Sequence, residues 1–355
     1  MIFFCAKMEI EIQGRRIGAG QPCFVIAEAG VNHNGSLDLA RRLIDAAAEA
    51  GADAVKFQTF SAEDLVTQSA PMAEYQERAL GAGDSQFTML RKLELSHDDH
   101  RVLAEYAERK GILFLSTPFD EGSVRLLADL GVAAFKISSG DLTNHPLLEC
   151  MARFGRPMIL STGMANLAEV EDAVRVIRAA GHPPLALLHC VSCYPADPRV
   201  VNLRAMATLA VRCGVPVGFS DHTLGMEVAV AAVAAGACII EKHLTLDCSL
   251  PGPDHQASLE PGAFAEMMRG IRLVDAALGD GRKEPLPEEA NTARVARKSV
   301  VTARKVAAGE VLTAEALTIK RPGHGFAPAM RAALIGRTAR AALPPGTVLT
   351  PEMLA

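Results

Sequence analysis

Tryptophan is absent from the 355-residue chain, and with only three tyrosines the aromatic content falls to 5%. That scarcity argues against aromatic belts at a membrane surface, stacking platforms for single-stranded nucleic acid and aromatic-lined sugar clefts. Long hydrophobic runs are missing as well. No run of 18 uncharged apolar residues occurs, and the nearest approach, the Ala-rich stretch 228–240, is divided by Gly236. The opening MIFFCAK is too short for the apolar core of a secretory signal. Nor is there a disulfide framework. Eight cysteines, at 5, 23, 150, 190, 193, 213, 238 and 248, lie mostly inside apolar runs, as buried thiols of a reducing cytoplasm do. Cys190-x-x-Cys193 lacks a second such pair and reads as structural.

What is present is a globular core: 49% hydrophobic residues against 22% charged. The length exceeds the ~250 residues of a single barrel and predicts one large domain with a small one attached. Charge is uneven. From Arg297 onward there are nine Lys/Arg and three Asp/Glu, a net +6, which leaves −11 on residues 1–296. A basic tail is compatible with nucleic acid, but packing against its own body or a neighbour's is the simpler reading, so neither nucleic acid nor membrane is expected as a partner.

Internal repetition is the most informative feature. Seven times a helical pattern ends at a Gly (51, 111, 131, 155, 181, 214, 236) and passes at once into a short apolar run. Glycine tolerates the left-handed conformation that closes a helix, so each marks a helix-to-strand turn. With the run Cys23 to Gly30 this makes eight strands, each followed by a helix. Such alternation demands parallel pairing with crossovers, and eight units over about 255 residues favour an α/β (β/α)₈ TIM barrel over a doubly wound sheet. No GxGxxG follows the first strand, which weakens the dinucleotide alternative. Residues 8–20 read as a hairpin plugging the barrel floor. An insertion, Ser61 to Ser96, leaves the carboxyl end of the second strand and should sit over the active face, with DSQFTMLRKLEL as an extra helix. A charged, Pro-containing stretch from Gly279 to Arg294 marks a boundary, giving a catalytic domain at 1–280, a linker at 281–297 and a small module at 298–355. In that module Gly309 to Leu317 recurs as Gly346 to Leu354, with Thr313 and Thr350 placed to cap short helices.

Barrel chemistry belongs to the carboxyl ends of the strands. Glu28 ends the first, Lys56 and Gln58 the second, Thr117 the third, Lys136 with Ser139 and Asp141 the fourth, and Ser161 the fifth. His189 closes the sixth, with Tyr194 beyond; Ser220-Asp221-His222 end the seventh and Glu241-Lys242-His243 the eighth. Two lysines buried in a barrel are costly without an anion, so Lys56 and Lys136 with hydroxyls of Thr117, Ser139 and Ser161 suggest a phosphate or carboxylate site; the alternative is a structural pair with Glu28 or Asp141. His222 and His243 fall on adjacent strands at equal depth, a geometry open to a metal, with Asp254 and Glu28 as further donors. Mixed N/O donors suit Mn²⁺, Fe²⁺, Co²⁺ or Zn²⁺. Asp221 would orient His222 or cap a helix.

AEAGVNHNG (27–35), KFQT (56–59), STPF (116–119), STGMA (161–165), SDHTLG (220–225), EKHLT (241–245) and PGPDH (251–255) resemble the sialic acid synthase family of nonulosonic acid synthases, and KRPGHG (320–325) resembles its antifreeze-like, β-clip SAF domain. The resemblance implies a cytoplasmic, metal-dependent enzyme that condenses phosphoenolpyruvate with an N-acylated mannosamine-type sugar, the metal being Mn²⁺ or else Mg²⁺ or Co²⁺. It implies His222 and His243 as metal ligands. It places Lys56, Gln58, Thr117, Lys136, Ser139, Ser161 and Ser220 around the substrates, with Glu28, Tyr194 and Asp254 as sugar-side or catalytic groups. Arg321 would be delivered by the SAF domain of the partner in a domain-swapped homodimer. Glu28 or Asp141 would be the base. Asp141 stands where family members usually carry Glu, and Ser192 where some carry Asn, so the sugar, sialic, legionaminic or pseudaminic in type, stays open. Spore-coat polysaccharide synthases are an alternative. A barrel acting on a phosphorylated aldose would want a second phosphate site, a sugar- or ice-binding module would leave the His pair and the buried lysines unexplained, and a metal-dependent hydrolase would not require phosphoenolpyruvate.

Overall fold

The computed structural model describes residues 8–81 and 85–355; the opening MIFFCAK lies outside them. The chain divides into two compact units, Met1–Asp280 and Gly281–Ala355.

In the first unit a hairpin, β1 (Glu9–Ile12) and β2 (Arg15–Gly18), precedes eight strands: β3 (Phe24–Gly30), β4 (Ala54–Thr59), β5 (Leu113–Pro118), β6 (Phe135–Ile137), β7 (Met158–Ser161), β8 (Leu185–Cys190), β9 (Val217–Asp221) and β10 (Ile239–His243). All their ladders are parallel. The order β5-β4-β3-β10-β9-β8-β7-β6 leaves β5 and β6 at the ends, and these lie alongside one another to close the ring. Helices follow the strands, several with side-chain caps at their starts: Ser36, Ser96, Asp120 and Asn166 each accept from a backbone N–H. No helix among the described residues is long and apolar enough to cross a membrane.

Period-two alternation sorts every strand into an outward column, packed under the helices (Val25, Ala27, Val55, Phe57, Leu160, Leu187, Phe219, Ile240), and an inward one. The inward column is apolar at the floor, where Phe24, Ile26, Leu115, Ile159, Leu188 and Ile239 pack against Ile10, Ile12 and Ile17 of the hairpin. The hairpin is thus the expected plug. Gly218 faces inward at a point where any Cβ would come within 2.3 Å of the Ile239 carbonyl oxygen.

Six of the seven punctuating glycines are left-handed; Gly181 is not. Its φ is −176°, and the left-handed residue is His182, at φ 51°. Gly181 is required instead by closeness, since a Cβ there would meet the Ala152 carbonyl oxygen at 2.4 Å.

The insertion holds three short helices, Ala62–Leu65, Glu74–Leu80 and Gln86–Arg91. Met72, Met89 and Leu93 cluster with Val31 and Phe60, which follow the carboxyl ends of β3 and β4, so the segment covers the face expected.

In the second unit β11 (Ser299–Thr302) pairs antiparallel with β12 (Leu317–Lys320), and isolated bridges tie in residues 306, 311, 339, 343, 348 and 354 around a core of Val300, Val306, Leu312, Leu317, Leu343 and Leu349. The 281–297 stretch carries a helix, Ala290–Ala296, with no buried side chain. The two repeat copies end in 3-10 turns, Ala314–Ala316 and Pro351–Met353, but Thr313 and Thr350 do not cap them. Their hydroxyls instead help backbone N–H groups hold Glu315 and Glu352 below the usual carboxylate range. Each hydroxyl is thus turned to a carboxylate and not to the backbone amides of the turn.

Candidate active site

Two positions up the inward column the side chains turn polar. Ile26 gives way to Glu28, Ala54 to Lys56, Leu115 to Thr117, Ala134 to Lys136, Ile159 to Ser161, Gly218 to Ser220 and Ile239 to Glu241, all seven buried. Lys56 Nζ lies 2.6 Å from Glu28 Oε2, 3.1 Å from Thr117 Oγ1 and 3.7 Å from Glu241 Oε2. Lys136 Nζ donates to Ser161 Oγ at 2.8 Å and the Ile137 carbonyl at 3.0 Å, with Glu241 Oε1 at 3.5 Å. Ser220 Oγ donates to Glu241 Oε1 (2.9 Å) and Gln58 Nε2 to Glu28 Oε1 (3.2 Å).

The two carboxylates are unequal. Burial pushes Glu28 up to about 7 against the opposing pull of Lys56, with the Glu241 charge adding to the rise. Glu241 suffers the same burial, but Lys136 and Lys56 on either side outweigh it and hold it down to about 2. Burial lowers Lys136; Lys56, equally buried, is kept high by Glu241 and Glu28.

A ring of imidazoles and phenols adjoins this cluster. His222 and His243 have centroids 5.4 Å apart. His222 Nδ1 sits 2.8 Å from the Val191 carbonyl oxygen and 3.8 Å from Cys190 Sγ; a carbonyl only accepts, so in the neutral ring the proton is on Nδ1 and Nε2 keeps its lone pair. His243 Nδ1 is buried without a hydrogen-bond partner, and Asp254 Oδ2 is 3.9 Å away. Burial and His222 depress His243 well below the usual imidazole range, while burial lifts Asp254 to about 6. Tyr194 lies over His222 at 4.1 Å and edge-on to His243 at 5.8 Å. Among the described residues no group of three or more His, Cys, Asp or Glu side chains is arranged to hold a metal ion. The protein donors on offer are therefore a pair of imidazoles: His243, with an orphaned nitrogen, and His222, raised above the usual range because burial is outweighed by the Cys190 contact.

Several expected residues stand apart. Asp141 lies in the 3-10 turn Ser139–Asp141, bonded to Asn144 Nδ2 at 3.2 Å, with burial raising its carboxyl; the lysines pair with Glu28 and Glu241 instead. Ser139 Oγ accepts from the Gly163 N–H at 2.9 Å. Asp221 neither orients His222 nor caps a helix: wholly buried on the outer face, it pairs with Lys242 at 2.8 Å and accepts from Thr223. His189 is likewise structural, its Nε2 against the Val201 carbonyl at 2.6 Å. Cys193 is exposed and unpaired, whereas Cys190 is buried against His222. Arg321 belongs to the second unit, directly after β12, and is exposed. Sequence reasoning assigned no role to Glu241 or Tyr75, and only a structural one to Cys190. Glu241 stands two residues before His243 on one strand, but its partners come from strands far away in sequence.

A cavity of about 440 Å³ is lined by Met72, Leu80, Met89, Leu93, Pro251 and Pro253, the last next to Asp254 in the chain, with Asn34 and Lys92 also at its wall.

Residues 43–283 match the NeuB family and residues 297–355 the SAF domain. The N,N'-diacetyllegionaminic acid synthase of Legionella pneumophila is 46% identical over 336 residues, 94% of each chain. The N-acetylneuraminate-9-phosphate synthase of Homo sapiens is 41% identical over 88% of this chain and 87% of its own. Among solved structures, the N-acetylneuraminic acid (sialic acid) synthetase of Leptospira borgpetersenii in complex with citrate superposes with a TM-score of 0.72 at 38% identity, covering 81% of this chain and 95% of that one. With a family model spanning most of the barrel and relatives this similar along nearly the whole length, the chain belongs to the NeuB family.

Proposed function

We propose that this protein condenses phosphoenolpyruvate with the open-chain form of an N-acylated mannosamine-type sugar and releases phosphate, forming a nonulosonic acid. The observation that carries this reading is the pair of buried lysines, Lys56 and Lys136, surrounded by hydroxyls of Thr117, Ser161 and Ser220. An enol phosphate brings a carboxylate and a phosphate, and its negative charges suit two cations and several short donors in a dry cavity. As it enters, the lysines exchange Glu28 and Glu241 for the ligand.

Held in that cradle, carbon 3 of the enol attacks the aldehyde carbon and a C–C bond forms. The aldehyde oxygen takes a proton, for which Asp254, lifted to about 6, stands beside His243. Water then adds to carbon 2 and gives its proton to Glu28, whose raised carboxyl is matched to neutral pH. The tetrahedral carbon expels inorganic phosphate. The donor set fits a divalent cation in that two imidazoles stand close together and His243 Nδ1 lacks a partner. His222 and His243 would hold it, Mn²⁺ ahead of Mg²⁺ or Co²⁺, and once bound it supplies Lewis acidity toward a sugar oxygen.

The mostly apolar cavity suits acyl and deoxy substituents better than a phosphate, and the similarity to the Legionella enzyme points the same way. We therefore place 2,4-diacetamido-2,4,6-trideoxymannose, giving N,N'-diacetyllegionaminate, ahead of N-acetylmannosamine, giving N-acetylneuraminate. The reading also includes a cytoplasmic homodimer with exchanged SAF domains, in which Arg321 completes a neighbour's site. Incubation with phosphoenolpyruvate, Mn²⁺ and each sugar, followed by phosphate assay and product mass, tests it. Phosphate release that depends on the sugar supports the reading; its absence with both sugars overturns it.

A further inference from the structure

Two of the chain's three tyrosines meet at one point. Tyr75, on the insertion helix Glu74–Leu80, stacks on Tyr194 with centroids 4.9 Å apart and ring planes 27° from parallel. Tyr194 in turn lies over His222. The result is a column of three rings that begins in a segment the barrel itself does not need and ends on an imidazole of the site. The Tyr75 hydroxyl accepts from Gln76 Nε2 at 3.3 Å, and Asp254 is the charged group that acts on it most strongly. Gln76 is buried and its Oε1 accepts from the Ala73 N–H at 2.9 Å, which fixes the helix start that presents the ring. Stacking holds two rings in mutual register, so Tyr75 braces the ring that lies over His222.

We propose that Tyr75 is a positioning residue for the acylated sugar: it holds Tyr194 against His222, so that the insertion reads the sugar and leaves phosphoenolpyruvate alone. The phosphoenolpyruvate cradle is built from Lys56, Thr117, Lys136, Ser161 and Ser220, none of which touches Tyr75 among the contacts of the described residues. The assignment rests on the proposed condensation for its substrate, but its test does not rest on turnover alone.

With no tryptophan present, emission at 305 nm, where tyrosine fluoresces, would come from Tyr75, Tyr106 and Tyr194 only. Tyr106 lies on the helix His97–Lys110 with its hydroxyl on Asp45, away from the column. The experiment titrates the full-length protein, its Tyr75→Phe variant and its Tyr75→Ala variant with 2,4-diacetamido-2,4,6-trideoxymannose and with N-acetylmannosamine, reading tyrosine emission, and measures KM for sugar and for phosphoenolpyruvate separately. Losing one ring stack should raise the sugar KM about tenfold in Tyr75→Ala, with the phosphoenolpyruvate KM changed less than about twofold. Tyr75→Phe keeps the stack and should retain most of the kcat while still binding sugar more weakly. The sugar-induced emission change should be present in the wild type and lost in Tyr75→Ala. If the wild type shows no phosphate release with either sugar, the condensation is wrong, and the emission titration still decides whether Tyr75 senses an acylated sugar. An emission response absent from the wild type or unchanged in Tyr75→Ala, or KM values for both substrates that rise together, overturns the assignment of Tyr75.

Discussion

Glu28 and Glu241 face the same lysines from strands paired side by side, yet they titrate in opposite directions. The difference is geometric: Glu241 lies between two ammonium groups, while Glu28 has one and also feels its neighbour's charge. This asymmetry gives each a separate pH signature. A carboxyl raised to about 7 binds a proton in the folded state that the unfolded chain, near 4.5, has already released, so stability falls as pH rises from about 4.5 to about 7. Glu241, lowered to about 2, contributes stability that is present above about 4.5 and is lost as pH falls toward 2. Glu28→Gln should therefore flatten the stability change between pH 4.5 and 7, a change on the order of 3 kcal/mol in the wild type, as measured by denaturant unfolding at a series of pH values. In the proposed reaction the same substitution should lower kcat by about 100-fold or more and remove the acidic limb of the kcat/KM profile near pH 7. An unchanged profile would take Glu28 out of the role of base.

At the scale of elements, the barrel was legible because its grammar is local. A helix that stops at glycine and the short strand after it can be recognised without knowing their neighbours, and the strand ends so marked carry Glu28, Lys56, Lys136, Ser220 and His243. Gly181 shows where that grammar fails: it occupies the expected position for a different reason, the approach of the Ala152 carbonyl, which no local pattern records. Asp221 and Asp141 fail similarly, since their partners, Lys242 and Asn144, were chosen by strand register and turn shape. Glu241 was visible at a strand end but not as the shared partner of two lysines from strands β4 and β6. The hairpin provides the test of the floor. Ile12 is almost wholly buried among Ile17, Phe24 and the inward side chains of the strands, so Ile12→Ala should cost about 2–5 kcal/mol. Because the floor and the polar layer are separate storeys of the same column, KM for either substrate should stay within about twofold at temperatures where the variant is folded. A selective rise in the phosphoenolpyruvate KM would mean that the plug sets the position of the lysines.

For the whole molecule, charge and length lead to one question. The second unit carries the +6 excess. A polar interior that already balances two lysines against two carboxylates does not draw in a further cation by itself. A bound enol phosphate and sugar change that balance, because the ligand's negative charge exceeds what Lys56 and Lys136 neutralise while Glu28 and Glu241 are present. An arginine supplied from outside the barrel would then be stabilised only when substrate is in place, which is the condition for differential binding. If Arg321 fills that role across an exchanged dimer, each site is composite, and damage to different components can be complemented. Arg321→Ala and His222→Ala homodimers should each be nearly inactive while retaining native unfolding midpoints. Subunits mixed and allowed to exchange should form heterodimers with one site carrying both lesions and one carrying neither, restoring up to about a quarter of wild-type activity in a random mixture, as phosphate release would show. Mass-verified heterodimers with no gain in activity would place Arg321 in its own subunit's site or outside the chemistry altogether.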